Sequence, residues 1–149
     1  MANIVGIDLG TTFSALARLN DIGRPDIVPN ADGDRITPSA LFFPEEENGK
    51  VLVGREAINS LQYDVKRSVR WIKRHMGEDV FPTSLVGRKW TPAELSAFIL
   101  KKLREDCSQQ VGEIVDAVIT VPAYFDEIRR KATMDAGKMA GLNVVAIVN

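Results

Sequence analysis

The chain has a single cysteine, a single histidine and no excess of positive charge among its 149 residues. Lone Cys107 excludes an intramolecular disulfide, and nothing in the sequence points to an oxidising compartment. Lone His75 leaves no basis for a Ser/His/Asp set or a histidine-based zinc site, so a surface position at a helix end is expected for it. A formal net charge of -1 argues against a generic nucleic-acid binder, which needs cations to displace the counterions of phosphate. No apolar stretch approaches the ~20 residues that span a bilayer. Met1 to Asp8 shows no basic leader followed by a long apolar run, so no signal peptide and no membrane association are expected, and the protein is read as cytoplasmic. There is no internal repeat, no low-complexity tract and no Gly-Lys-Ser/Thr of a Walker A loop.

What is present suits one folded unit. Hydrophobic residues make up 45% and charged residues 26%, enough of each for a packed core and a solvated surface. Ile4–Leu9 and Phe13–Leu19 read as a β-hairpin about the turn Gly10-Thr11-Thr12, with Phe13, Ala15, Ala17 and Leu19 on one face. Residues 20–39, rich in Asn, Asp, Gly and Pro, read as mostly loop. Two short strands follow, at Ser39 to Phe43 and Lys50 to Val53, joined by the acidic stretch 44–49. Val65, Val69, Ile72 and Met76 are spaced as one face of a helix. Thr91-Pro92-Ala93-Glu94 carries a cap, a first-turn proline and a capping-box glutamate, and it opens a helix with the stripe Leu95, Phe98, Ile99, Leu103, Cys107 and Val111. Cys107 on that stripe reads as core, and Trp71 and Trp90 as packing residues.

Ala117 to Val121 reads as a buried central strand ended by Pro122. Asp126 caps the next helix, whose expected apolar face is Ile128, Ala132, Ala136, Met139 and Ala140 and whose stop is Gly141. Val144 to Val148 begins another buried strand. Strands first, then strands alternating with helices, predict a mixed α/β sheet with packed helices. Ending beside an apolar strand predicts a chain cut short of a domain boundary, since boundaries fall in polar linkers.

Asp8-Leu9-Gly10-Thr11-Thr12 holds the strongest chemical signal. Gly10 frees the turn and admits a ligand to the backbone. Thr11 and Thr12 offer hydroxyls and successive N–H groups that can cradle a phosphate. Asp8, at the end of an apolar strand, is placed to hold Mg²⁺ directly or through water. The same five residues also read as a β-turn with a capping aspartate. Lys73 lies in the basic run Lys66 to Arg74 and, on its own, reads as a solvated lysine. Pro122 alone is a strand terminator and Arg130 a surface helix residue.

Several separate segments resemble the nucleotide-binding domain of the heat-shock protein 70 chaperones. Gly6-Ile7-Asp8-Leu9-Gly10-Thr11-Thr12 is similar to the family's first phosphate-binding hairpin, and Pro29 to Ser39 to the loop after it. Val53-Gly54-Arg55-Glu56-Ala57 and Ile72-Lys73-Arg74-His75-Met76-Gly77 resemble the next landmarks. Ala117 to Phe125 resembles the central strand and its loop, and Arg130 to Thr133, Asp135 to Gly137 and Ala140 to Leu142 the helix beyond. The resemblance implies a ribonuclease H-like (actin-like ATPase) fold, first lobe, with a shortened peripheral subdomain around 40–115. It implies that Asp8 organises hydrated Mg²⁺, that Gly10, Thr11 and Thr12 contact the phosphates of ATP or ADP, and that Lys73 reaches the γ-phosphate and positions water. Pro122 and Arg130 would relay nucleotide state toward a peptide-binding domain. The implied partners are unfolded peptides, a J-domain co-chaperone and a nucleotide-exchange factor.

Two departures from the family stand out. Phe13 occupies a position where asparagine or tyrosine is usual, and Met76 to Trp90 is short. The family continues past the last strand into a metal-site glutamate, a second phosphate loop, the adenosine pocket and the peptide-binding domain. This chain alone is therefore expected to bind weakly and turn over little, and to self-associate through the apolar surface it leaves uncovered. An actin-like small-molecule kinase lobe shares the hairpin and is the alternative enzyme reading. A non-catalytic regulatory homologue is the alternative without chemistry.

Overall fold

A computed structural model of the protein describes residues 3–45 and 49–149. In chain order, the hairpin strands β1 (Asn3–Leu9) and β2 (Phe13–Leu19) precede the short strands β3 (Pro25–Ile27), β4 (Thr37–Pro38), β5 (Ala40–Phe42) and β6 (Leu52–Val53). Helix α1 (Arg55–Ser60), strand β7 (Ser68–Arg70), helix α2 (Pro92–Val111), strand β8 (Ile114–Thr120), helix α3 (Glu127–Met139) and strand β9 (Asn143–Val148) follow. The main sheet runs β3-β2-β1-β8-β9, with β4 also paired to β2. β1 is antiparallel to β2 and parallel to β8, and β8 is parallel to β9, so the sheet is mixed as expected. A second sheet, β6-β5-β7, is antiparallel throughout.

Period-two alternation sends Val5, Ile7 and Leu9 of β1, Leu16 of β2 and Ala117 and Ile119 of β8 to one face. Against that face lie Leu95, Ile99, Leu103 and Cys107 of α2, all buried as the stripe predicts. The Thr91 hydroxyl accepts from the Glu94 amide and the Glu94 carboxylate from the Thr91 amide, completing the capping box. Burial pushes the Cys107 thiol up to about 11, away from reactive thiolate. Among the described residues no helix is long and apolar enough to cross a membrane.

Four sequence expectations are corrected. Val65, Val69, Ile72 and Met76 do not share a helix: Val65–Arg67 and Ile72–His75 are single 3₁₀ turns on either side of β7. Tertiary pairing of β7 with β5 overrides the helical spacing. Residues 20–39 are mostly loop as expected, holding only the short β3 and β4, whereas α1 was not anticipated. In α3 the buried residues are Thr133, Ala136 and Gly137, followed by Ala140 after the helix, whereas Ile128 and Met139 are exposed. Gly137 faces Val144 of β9 so closely that a Cβ would sit 2.4 Å from its Cγ2, which is why the small residues and not the large ones face the sheet. β9 is an edge strand with exposed Val145 and Val148, not a buried one. Trp71 is exposed, while Trp90 does pack, its ring 5.3 Å from Phe43 and 5.7 Å from Phe98. Half of the expected acidic connection 44–49, residues 46–48, lies outside the described residues.

The short 77–90 segment closes on itself. Leu85 and Arg88 bridge across Val86 and Gly87, both with positive φ, and the Trp90 indole N–H donates to the Leu85 carbonyl. Helix α3 ends in a Schellman arrangement, with the Gly141 amide on Lys138 O and the Leu142 amide on Gly137 O.

Candidate functional site

Parallel pairing brings the carboxyl ends of β1, β8 and β9 to one edge of the sheet, where open α/β folds bind ligands. Asp8 stands there, paired with Thr120, on the face of β1 opposite the core. Its carboxylate is exposed, and the Thr120 hydroxyl donates to Oδ1 at 3.3 Å or to the Ile7 carbonyl at 3.4 Å. Two residues earlier on that face, Gly6 leaves open space where a side chain would stand.

The turn after β1 is held from below by two serines. The Gly10 amide donates to Ser14 Oγ at 3.2 Å, Ser14 and Ser39 hydroxyls lie 2.8 Å apart, and Ser39 Oγ donates to the Gly10 carbonyl at 2.8 Å. The Ser39 amide donates to the Thr12 carbonyl at 2.8 Å. A Cβ on Gly10 would lie 2.0 Å from the Phe13 carbonyl oxygen, so the turn closes only with glycine. Gly10 thus shapes the loop with its own polar groups committed inward. Among the described residues no hydrogen bond engages the amides or hydroxyls of Thr11 and Thr12. Sequence reading missed Ser14 and Ser39. A legible signal was present, since Ser14 alternates with Leu16 on the inward face, and a buried hydroxyl there requires a partner.

Lys73 arrives from a distant part of the chain. Its 3₁₀ turn is anchored by buried Ile72 and Met76. Burial lowers the Lys73 ammonium below the usual lysine value, while the Asp8 carboxylate acts on it in the opposite direction. The ammonium also lies 5.9 Å from the Phe125 ring centroid. Asp8, Thr120 and the Gly10–Thr12 turn therefore share one edge, with Lys73 close enough to feel the Asp8 charge. Pro122 and Arg130 lie beyond it: the Pro122 carbonyl accepts from the Phe125 amide, and the Arg130 guanidinium reaches Ile147 O at 3.3 Å and Asn149 Oδ1 at 3.0 Å. His75 sits on the outer side, bonded to Glu78 at 3.0 Å.

Among the described residues no three His, Cys, Asp or Glu side chains cluster as a metal cage. A single exposed carboxylate beside phosphate-type donors fits Mg²⁺, which keeps most of its waters and leans on substrate phosphates.

Comparison with known proteins agrees with this geometry. The family model described as Hsp70 protein matches residues 4–86 and 79–149. The Chaperone protein DnaK of Thermotoga neapolitana is 46% identical over 147 residues, 98% of this chain and 24% of that relative. The chain thus spans about a quarter of the length of the curated relative it matches. With these matches the mixed sheet and its packed helices are of the ribonuclease H-like, actin-like ATPase class. Within that class the chain belongs to the Hsp70 family. Family membership favours the chaperone over the small-molecule kinase reading.

Proposed function

We propose that this chain forms one wall of the ATP site of an Hsp70-type chaperone. The observation that carries the reading is that Lys73, more than sixty residues away in sequence, lies near enough to Asp8 for the carboxylate charge to act on its ammonium. Thr11 and Thr12 would donate to the β- and γ-phosphates, with Gly10 keeping the approach clear. Asp8 would hold the waters of Mg²⁺, its Oδ1 steadied by the Thr120 hydroxyl. When bound, Mg²⁺ supplies neutralisation of the phosphate charge. Lys73, a compact cation drawn partly out of water, would orient the attacking water and offset charge developing on the γ-phosphate. Partial burial strengthens that attraction, and the Asp8 charge favours the ammonium form against the opposing effect of burial.

The rest of the reading concerns the whole protein. A second lobe would supply the adenosine contacts, and a separate domain would bind unfolded peptides, assisted by a J-domain co-chaperone and a nucleotide-exchange factor in the cytoplasm. Differential contacts to ATP and ADP must drive the switch between them. Arg130, linking α3 to the end of β9, together with Pro122 would carry it outward. The peripheral subdomain, roughly 40–115, would be trimmed at 77–90; the two stretches of the family match overlap within that segment, at 79–86. Alone, this chain would bind nucleotide weakly, turn over little and self-associate at high concentration.

The test is calorimetric titration with Mg-ATP of this chain, of a longer chain that includes the downstream lobe, and of the longer chain with Lys73→Ala. The expected result is binding and hydrolysis by the longer chain, with Lys73→Ala abolishing hydrolysis and largely sparing binding. A longer chain that ignores ATP would leave the fold without the chemistry and favour a regulatory role.

A further inference from the structure

Strand β7 ends at Arg70, which pairs with Ala40. Two residues later Ile72 is buried in the core, and Lys73 then reaches the sheet edge. The chain reverses between them at Trp71, with φ 60 and ψ 33. That is the left-handed region, which glycine enters freely and bulky side chains rarely adopt. A tryptophan there persists only if its surroundings over-determine the conformation. Two guanidiniums lie over the indole, with Arg70 Cζ 4.4 Å and Arg74 Cζ 5.3 Å from the ring centroid. The Arg74 amide donates back to the Trp71 carbonyl at 3.2 Å. Arg70 and Trp71 also form one side of a cavity of about 270 Å³ that Thr11, Thr12 and Phe13 help to line. The reversal therefore sits across from the candidate phosphate turn.

We propose that Trp71 is a positioning residue, its ring in cation–π contact with Arg70 and Arg74 to hold the left-handed reversal that aims Lys73 at the sheet edge. The consequence for catalysis rests on the ATP-site reading above, whereas the geometric claim does not. Glycine at 71 permits the same backbone but removes the ring contact, so the two functions of the residue separate cleanly.

The geometric test uses the 149-residue chain without nucleotide. Proton–proton NOEs between the Lys73 side chain and the Phe125 ring report the 5.9 Å approach. They should be present in the native chain and in Trp71→Phe, and lost in Trp71→Gly with its core NOEs intact. Persistence of the Lys73–Phe125 NOEs in Trp71→Gly overturns the proposal, because Lys73 would then be aimed without the ring contact. The functional test uses the longer chain: Trp71→Gly should lower kcat roughly 10- to 100-fold with KM little changed. Trp71→Phe should restore it. A Trp71→Gly loss confined to KM would show that Trp71 acts elsewhere. If the longer chain has no ATPase activity, the ATP-site reading fails and the NOE result alone decides this one.

Discussion

Strands β1, β2 and β8 run seven residues each and helices α2 and α3 run twenty and thirteen, all with regular apolar periods or standard caps. Between Pro38 and Thr91 the longest described element is the six residues of α1, and both non-glycine residues with positive φ, Trp71 and Val86, fall there. The first region makes its conformation locally and then packs it. In the second, each short piece takes the shape its neighbours impose. The candidate site draws on both: Asp8 and the Gly10–Thr12 turn come from the regular layer, and Lys73 from the irregular one. A regular frame fixes where charge sits, and an irregular segment can bring a cation to it because no helical period constrains its path.

Truncations in the two regions should separate these roles. Leu103→Ala in α2 and Ile72→Ala beside Lys73 each empty a fully buried site and should cost about 2–5 kcal/mol by denaturant unfolding. Only Ile72→Ala should also depress ATP hydrolysis in the longer chain beyond the loss of folded protein. Equal activity per folded molecule in both variants would break the comparison.

Local rules should matter unequally as well. Thr91→Ala removes the capping box of α2 and should cost about 1 kcal/mol. Val86→Asn, at a left-handed position that a β-branched residue resists, should instead gain stability, about 1 kcal/mol, read as a rise in Tm. A loss at Val86→Asn would mean that the 77–90 closure depends on the valine side chain.

The smallest expected effects are alkaline and opposite in sign. Cys107 keeps its proton in the fold up to about pH 11, while an unfolded thiol loses it earlier. The unfolded state then binds fewer protons, so this group's contribution falls as pH rises from about 9 toward 11. Lys73 is lowered in the fold, so the unfolded state binds more protons between the folded and unfolded values, and stability rises with pH through that window. The slope of Tm against pH should therefore become less negative in Cys107→Ala and more negative in Lys73→Met. Because the Asp8 charge raises Lys73, Asp8→Asn should lower the Lys73 pKa further, measured by lysine side-chain NMR.

Legibility in the sequence followed the same division. The hairpin, α2 with its capping box, β8 and the Asp126 cap were readable because spacing within each segment dictates them. The Val65–Met76 helix failed because the apolar spacing served three different elements that pair with or pack on distant residues. The face of α3 was misread because small residues, not large ones, satisfy its approach to β9.

By itself the sequence determined the α/β order, the caps, the core stripe of α2 and the glycine turn after Asp8, each a matter of local chemistry and period. Tertiary structure alone decided that Ser14 and Ser39 brace that turn, that Trp71 reverses in the left-handed region and that Lys73 comes within the influence of the Asp8 charge. These depend on contacts between residues far apart in the chain, and the free energy that selects them is released only when the two regions pack together.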